Sequence, residues 1–187
     1  LRGRPVAIVN RRTDKTAIVT ASYEAKEKGV KVGMKFAEAK ILCPGLVMLE
    51  SDPPKYRYVY HKLLDIMRDY SAHVTMKSID EGIIDFHDAT EAVKGRDLQE
   101  LGLEIKQRLK DEIGDWMRCN VGISTNRFLA KTAAGMNKPD GLTVITPDNL
   151  HDVLGRLKLM DLTGIAHRNQ HRLNSVGIYT PLEFVSA

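Results

Sequence analysis

Two adjacent acids, Asp80 and Glu81, lie between two β-like runs in the segment MKSIDEGIIDF (residues 76–86). Neighbouring side chains of a regular strand point to opposite faces of the sheet. Two acids that act together therefore need a turn or a bulge here, and a buried unpaired acid would be unfavourable. The segment predicts a hairpin whose tip projects both carboxylates the same way, which suits a hard cation such as Mg²⁺. For this pair alone, solvated acids at a strand end are the simpler interpretation.

The patterns on either side of the acid pair predict an α+β fold. Residues 5–10 and 16–22 are β-rich runs that predict a hairpin. Short helices and a further strand are predicted after them. After Asp52-Pro53-Pro54, a helix with apolar residues at helical spacing is expected, and a second apolar stripe covers residues 98–113. The order of elements predicts a sheet with helices packed on one face. The stretch 147–187 is predicted to be all-helical.

Composition is that of a globular protein without a membrane anchor. The chain has 187 residues, of which 43% are hydrophobic and 28% charged. No apolar run approaches the roughly 18–20 residues that cross a bilayer. Cys43 and Cys119 form no C-x-x-C motif, so neither a disulfide framework nor a zinc site is expected, and a reducing cytoplasm is the default location.

Charge is spread unevenly along the chain. The net charge is only +4, yet residues 1–40 carry ten Lys or Arg against four acids. Residues 76–100 carry seven acids against three bases. This pattern fits a polyanion held near a cation site, and on charge alone an ordinary solvated surface fits as well.

Four segments resemble motifs of Y-family translesion DNA polymerases, the group that includes the DNA polymerase IV and ImpB/MucB/SamB types. SIDEGIIDF resembles the family's SIDEAYLD-type motif, and TASYEAKEKGVKVGM (residues 20–34) is similar to its fingers motif. GISTNRFLAKTAAGMNKPDGLTVI (122–145) resembles the segment that contains NKFLAK and NKP. LTGIAHRNQHRLNSVGIYTPLEF (162–184) resembles the helix-hairpin-helix of the thumb. The four matches follow the family order and span nearly the whole chain.

The resemblance implies a polymerase architecture and reaction. Residues 1–52 would form a small α/β fingers subdomain, residues 53–142 a palm with an antiparallel sheet and helices on one face, and residues 143–187 an all-helical thumb. The implied reaction is template-directed nucleotidyl transfer of the lesion-bypass type, with two Mg²⁺ ions as cofactors. The implied partners are primer–template DNA, deoxynucleoside triphosphates and, through C-terminal parts of the family, a sliding clamp. No membrane partner is expected.

The resemblance also implies roles for individual residues. Asp80 and Glu81 become catalytic metal ligands, with Ser78 beside them. The residues implied in nucleotide binding are Thr20, Tyr23, Lys26 and Lys138. The residues implied in DNA binding are Gly164, Ala166 and Arg168.

The chain departs from the family pattern in three places. Lys26 stands where the fingers motif usually has Arg, and a point charge lacks the bidentate fork of a guanidinium, so a looser triphosphate grip is expected. Gly164-Ile165-Ala166 replaces the usual G-x-G, and a β-carbon at Ala166 disfavours a positive φ. The family's first catalytic aspartate lies upstream of the fingers motif and has no counterpart here. The chain is therefore expected to be a fragment, without the first catalytic strand and the C-terminal DNA-gripping domain, that folds but does not polymerise.

Two other functions are compatible with parts of the sequence. One is a catalytically inactive relative that binds DNA as a repair scaffold, which the presence of Asp80, Glu81, Tyr23 and Lys138 argues against. The other is a nucleotidyl cyclase, which shares a palm-like acid hairpin. The fingers-like and thumb-like segments count against the cyclase.

Overall fold

The chain forms two compact units, Leu1–Arg57 and Tyr58–Ala187. The computed structural model describes residues 1–91 and 93–187. One helix, α3 (Pro53–Arg68), contributes residues to both units. It begins directly at the proline pair, where the missing backbone N–H groups of proline are tolerated because the first turn has no helical acceptor for them.

The first unit is a three-stranded sheet with two short helices. Its strands have the order β2-β1-β3, in which β1 is antiparallel to β2 and parallel to β3. The elements are β1 (Val6–Val9), β2 (Ile18–Ala21), α1 (Tyr23–Glu27), α2 (Phe36–Leu42) and β3 (Val47–Glu50). The hairpin predicted from residues 5–22 is confirmed by the β1–β2 pairing.

The core of this unit is built by the inward-facing residues of the sheet and of both helices. Val9, Ile18, Phe36 and Leu46 are among its buried members, and Cys43 lies with them. Burying each such large apolar side chain contributes about 1.5–3 kcal/mol. Strand β2, at the edge of this sheet, is therefore held by the hydrophobic core of the first unit.

The second unit alternates strands and helices before an all-helical stretch. After α3 come β4 (Val74–Met76), β5 (Gly82–Ile84), α4 (Leu98–Glu112), β6 (Val121–Ser124), α5 (Arg127–Met136) and β7 (Leu142–Ile145). The remaining helices are α6 (Leu150–Arg156), a 3-10 turn (Leu159–Asp161), α7 (His167–Ser175) and α8 (Pro181–Ser186). The mixed α+β class and the helical character of 147–187 are thus confirmed.

The strands of the second unit pair in two different ways, which corrects the expectation of one antiparallel sheet. The β4–β5 ladder is antiparallel, whereas the β6–β7 ladder is parallel. A parallel pair requires a crossover connection, and α5 is that crossover.

Helices cover both faces of the β6–β7 ladder. A β-carbon built on Gly102 of α4 would touch Val121 and Ile123 of β6, whereas one built on Gly122 would collide with the backbone of α5. Alternate residues of a strand face opposite sides, so α4 and α5 lie on opposite faces. The expectation that all helices pack on one face is therefore wrong for α5.

The apolar stripes predicted on α3 and α4 build the core of the second unit. Ile66, Tyr70, Leu101, Ile105 and Leu109 are buried together. Tyr56, near the start of α3, and Leu98, at the start of α4, are exposed. In the part of the chain that the structure describes, no helix has the length and apolar character needed to span a membrane.

Candidate active site

The two acids lie in the connection between β4 and β5. Residues 77–81 form this connection, and its backbone is closed by N–H groups of Lys77 and Ser78 that both donate to the carbonyl of Glu81, at 2.8 and 3.2 Å. The antiparallel register on either side pairs Met76 with Gly82. The predicted hairpin is therefore confirmed, with both acids at its tip.

The two carboxylates have different partners. The Ser78 hydroxyl donates to Oδ1 of Asp80 at 2.6 Å, and Asp80 is exposed. Glu81 is half-buried, and its carboxylate forms an ion pair with Lys131 of α5. Ser78 thus orients one acid, while Lys131 neutralises the other.

Helix α5, which carries Lys131, packs very closely on β6. The close approach occurs at Gly122, where any β-carbon would collide with the carbonyl oxygen of Ala130 and the backbone nitrogen of Ala134. Only glycine allows this backbone-to-backbone contact. The glycine of the GIS segment therefore sets the distance between helix α5 and the strand beneath it.

The acid pair has the donor chemistry of a partial set of metal ligands. Hard divalent cations take carboxylate and other oxygen ligands, and Mg²⁺ usually keeps several waters or phosphate oxygens. Asp80 and Glu81 supply the carboxylates of such a set, and the exposure of Asp80 leaves room for water or phosphate. Within residues 1–91 and 93–187, no group of three or more His, Cys, Asp or Glu side chains is placed to hold a metal ion. The donor chemistry fits a divalent cation whose remaining ligands come from elsewhere.

A second charged element is the turn at residues 137–141, which carries the exposed Lys138 before β7. Asp140 has a φ of 60°, in the left-handed region, which among residues other than glycine is adopted mainly by Asn, Asp and His. The Gly141 N–H donates to Oδ1 of Asn120 at 3.0 Å. At Gly141 a β-carbon would collide with the carbonyl of Asn137. The turn therefore has one well-defined backbone conformation.

Sequence reasoning missed the residue that holds this turn. Lys106 of α4 is buried, and its ammonium contacts both the backbone and the carboxylate of Asp140. The hydrogen bond from Lys106 is the largest cause of a lowered pKa of Asp140, with burial acting in the opposite direction. Burial raises the pKa of the neighbouring Cys119 thiol. The available signal was a lysine within the apolar stripe of a helix, between the buried Ile105 and Leu109.

In the first unit, the three predicted nucleotide-binding residues cluster at the junction of β2 and α1. Thr20 is exposed in β2, and Tyr23, which begins α1, is 45% exposed. The Lys26 ammonium lies 4.9 Å from the centre of the Tyr23 ring, within the range of a cation–π contact. Ser22 caps this helix by accepting from the Ala25 N–H at 3.4 Å. The structure brings Tyr23 and Lys26 into contact and places Thr20 just before them.

The predicted DNA-binding residues lie at the loop that leads into α7. Gly164 has a φ of 83°, and its carbonyl accepts from the Asn169 side chain at 2.8 Å. Ala166, the residue before α7, has φ −99° and ψ 179°, an extended conformation open to any residue. Arg168 is exposed in the first turn of α7. The departure from G-x-G is therefore accommodated, because position 166 needs no positive φ.

Solved structures share this fold. A Y-family DNA polymerase chimera of Dbh and Dpo4 has a TM-score of 0.86 at 29% identity, covering 99% of this chain and 54% of its own. An insertion ternary complex of Dbh DNA polymerase has a TM-score of 0.85 at 29% identity, covering 100% of this chain and 54% of its own. The fold is that of the catalytic region of Y-family polymerases.

Sequence comparison places the chain within this class. Residues 1–135 match the impB/mucB/samB family model, and the chain belongs to that family. DNA polymerase IV of Bacillus velezensis is 36% identical over 181 residues, which cover 96% of this chain and 42% of the relative. DNA polymerase IV of Saccharolobus solfataricus is 35% identical over 184 residues, which cover 95% of this chain and 50% of the relative. The chain thus spans about half the length of these curated relatives, and the resemblance inferred from the four motifs is confirmed.

Proposed function

We propose that this chain supplies the nucleotidyl-transfer residues of a lesion-bypass DNA polymerase, which extends a primer on template DNA with deoxynucleoside triphosphates. The observation that carries the proposal is the exposed hairpin tip with Asp80 and Glu81 side by side. Membership of the impB/mucB/samB family and the likeness to an insertion ternary complex of Dbh support it.

The acid hairpin would act as the metal-binding element. Asp80 and Glu81 would hold Mg²⁺, two ions by the family resemblance, which stabilise charge on the oxygens of the transferred phosphoryl group when bound. Ser78 restricts the Asp80 carboxylate through its 2.6 Å hydrogen bond. Lys131 offsets the charge of Glu81, which limits repulsion between the adjacent acids.

Cationic and hydroxyl side chains would bind the triphosphate. We assign this role to Thr20, Tyr23 and Lys26 at the β2–α1 junction and to Lys138 on the 137–141 turn. Thr20 and Tyr23 offer hydroxyl donors, and the lysines offer charge that matches phosphate oxygens. The exposure of all four is compatible with this role.

The loop before α7 would contact the DNA backbone. Gly164 and Ala166 present backbone N–H groups near the start of a helix, where anionic phosphate is favoured. Arg168 adds a cation in the first turn of α7. In the same scheme, residues 1–52 are the fingers, 53–142 the palm and 143–187 the thumb. Binding to a sliding clamp and a cytoplasmic location stay predictions.

Primer extension by the full-length product of the gene that encodes this chain tests the proposal. Asp80→Asn keeps size and hydrogen bonding but removes the charge, and should lower kcat at least about a hundredfold, as the loss of a charge-stabilising group typically does. Asp85→Asn is the matched control on the same hairpin, because its Oδ1 only accepts from the His87 N–H at 2.9 Å and an amide can replace it.

The outcome separates an enzyme from a scaffold. Extension that is lost in Asp80→Asn and kept in Asp85→Asn supports the proposal. A wild-type protein that binds primer–template DNA but extends no primer with Mg²⁺ and all four nucleotides would instead establish the inactive repair scaffold.

A further inference from the structure

Lys106 is a buried cation whose donors are all used. The residue is 8% exposed. Its ammonium donates to the carbonyl of Cys119 at 2.9 Å, to the carbonyl of Asp140 at 2.6 Å and to Oδ1 of Asp140 at 2.6 Å. An ammonium has three N–H donors, so each donor of Lys106 makes a hydrogen bond. Two of the three hold a single residue of the 137–141 turn.

These contacts fix the backbone on one side of Lys138. Asp140 is held through both its carbonyl and its carboxylate, and a second cation, Lys110, lies 3.6 Å from its other oxygen. Between Asp140 and Lys138 stands only Pro139, whose ring restricts φ. Anchoring Asp140 therefore restricts where the Cα of Lys138 can lie.

A purely structural role would be filled more economically by an apolar pair at positions 106 and 140 than by an ion pair. Buried ion pairs lose solvation, and replacing one with well-packed apolar side chains is often neutral or stabilising. An apolar residue at position 106 could fill the space under the turn. It could not donate to two carbonyl groups and a carboxylate, as the Lys106 ammonium does.

We propose that Lys106 is the positioning residue for Lys138, holding the turn so that Lys138 meets the triphosphate. This inference rests on the proposed function, in which Lys138 binds the incoming nucleotide. Lys106 itself touches no substrate in this scheme. It acts through Asp140, whose carbonyl and carboxylate it holds.

Single-nucleotide insertion kinetics of the full-length gene product test the inference. Lys138→Ala should raise the nucleotide KM about tenfold, within the range that loss of a charge-assisted contact produces. Lys106→Met should raise it by about fivefold, less than the roughly hundredfold that a misplacement of about 1 Å can cost. The double variant should have the KM of Lys138→Ala alone, because Lys106 has no effect once its target is gone. Lys106→Arg, which keeps charge and donors, should restore part of the loss.

Lys110→Met is the matched control. It removes a cation from the same helix and from the same carboxylate, but it touches neither carbonyl, so KM should stay within about twofold. A readout independent of activity is hydrogen exchange of the Gly141 amide, which should be faster in Lys106→Met than in Lys110→Met. If Lys106→Met fails to fold, Asp140→Asn replaces it, and a smaller rise in KM is expected because the carbonyl contacts remain.

Each failure has its own signature. An unchanged KM in Lys138→Ala overturns the nucleotide-binding role of Lys138 and the positioning role with it. A raised KM in Lys138→Ala but not in Lys106→Met or Asp140→Asn overturns positioning alone. Effects that multiply in the double variant show that Lys106 acts by a route other than Lys138, which also overturns the inference.

Discussion

The acid hairpin at 77–81 and the lysine turn at 137–141 hold their charged groups in opposite ways. At the hairpin, the contacts of Asp80 with Ser78 and of Glu81 with Lys131 lie at the surface. At the turn, the contacts come from the buried Lys106 and from Asn120. Surface ion pairs contribute little to stability, whereas breaking a buried pair is costly.

The difference matches what each element has to do in the proposed reaction. A carboxylate that binds a cation must exchange its partners when the cation arrives, so weak and exposed contacts suit it. A lysine that receives a triphosphate benefits from a backbone already in place, because ordering it on binding would reduce affinity. The side-chain contacts of the hairpin are thus suited to exchange for a cation, whereas the contacts of the turn are suited to persist when the triphosphate binds.

The largest expected effect is on the stability of the turn. Lys106→Met should lower the free energy of unfolding by about 3 kcal/mol, the lower end of the range for removing one partner of a buried ion pair, since Asp140 is partly exposed. Urea unfolding followed by fluorescence of Trp116, the single tryptophan, measures it. Lys110→Met should cost less than about 1 kcal/mol. Equal losses in the two variants would show that burial of the cation adds no stability at the turn, which is the basis of its contrast with the hairpin.

The stabilisation by Asp140 should depend on pH. Its pKa is lowered in the folded chain from the ordinary value of 3.8, so the charged carboxylate stabilises the fold above that value. Asp140→Asn should therefore cost about 1.5 kcal/mol at neutral pH, the low end for a hydrogen bond to a charged group, because Asp140 is partly exposed. The difference from wild type should shrink as the pH falls below 3.8 towards the folded pKa. A difference that stays constant through the acidic range would exclude the charge as its cause.

A smaller effect is expected on cation binding at the hairpin. Lys131→Met should tighten Mn²⁺ binding by about two- to fivefold. Mn²⁺ then no longer competes with Lys131 for the Glu81 carboxylate, in an exposed ion pair worth about 0.2–1 kcal/mol. Titration followed by electron paramagnetic resonance counts free Mn²⁺ directly. Lys77→Met removes a lysine from the hairpin itself and serves as the control. Weaker binding in Lys131→Met would show that Lys131 organises Glu81 rather than competing for it.

The smallest effect should come from Ser78. Ser78→Ala should change the free energy of unfolding by less than about 0.5 kcal/mol, because its exposed hydrogen bond to Asp80 can be replaced by water. The same urea unfolding assay detects any larger loss. A loss comparable to that of Lys106→Met would mean that the hairpin is as rigid as the turn.

The sequence predicts the local features of both elements better than their partners. The hairpin at Asp80-Glu81 and the helices α3 and α4 follow from patterns within a few residues. The parallel pairing of β6 with β7 does not, because it depends on where α5 returns the chain. The contact between Lys106 and Asp140 joins residues 34 positions apart, and no local periodicity reports such a pair. Only the presence of a lysine in an apolar stripe hints at it.

The conformation at Ala166 bears on how this motif changes over evolutionary time. Gly164, at φ 83°, is tied to glycine by its backbone, whereas Ala166, at φ −99°, is not. Substitutions should therefore accumulate far more readily at the second glycine of G-x-G than at the first. A search pattern that insists on both glycines would overlook chains that keep the same loop, and one that requires only the first would find them.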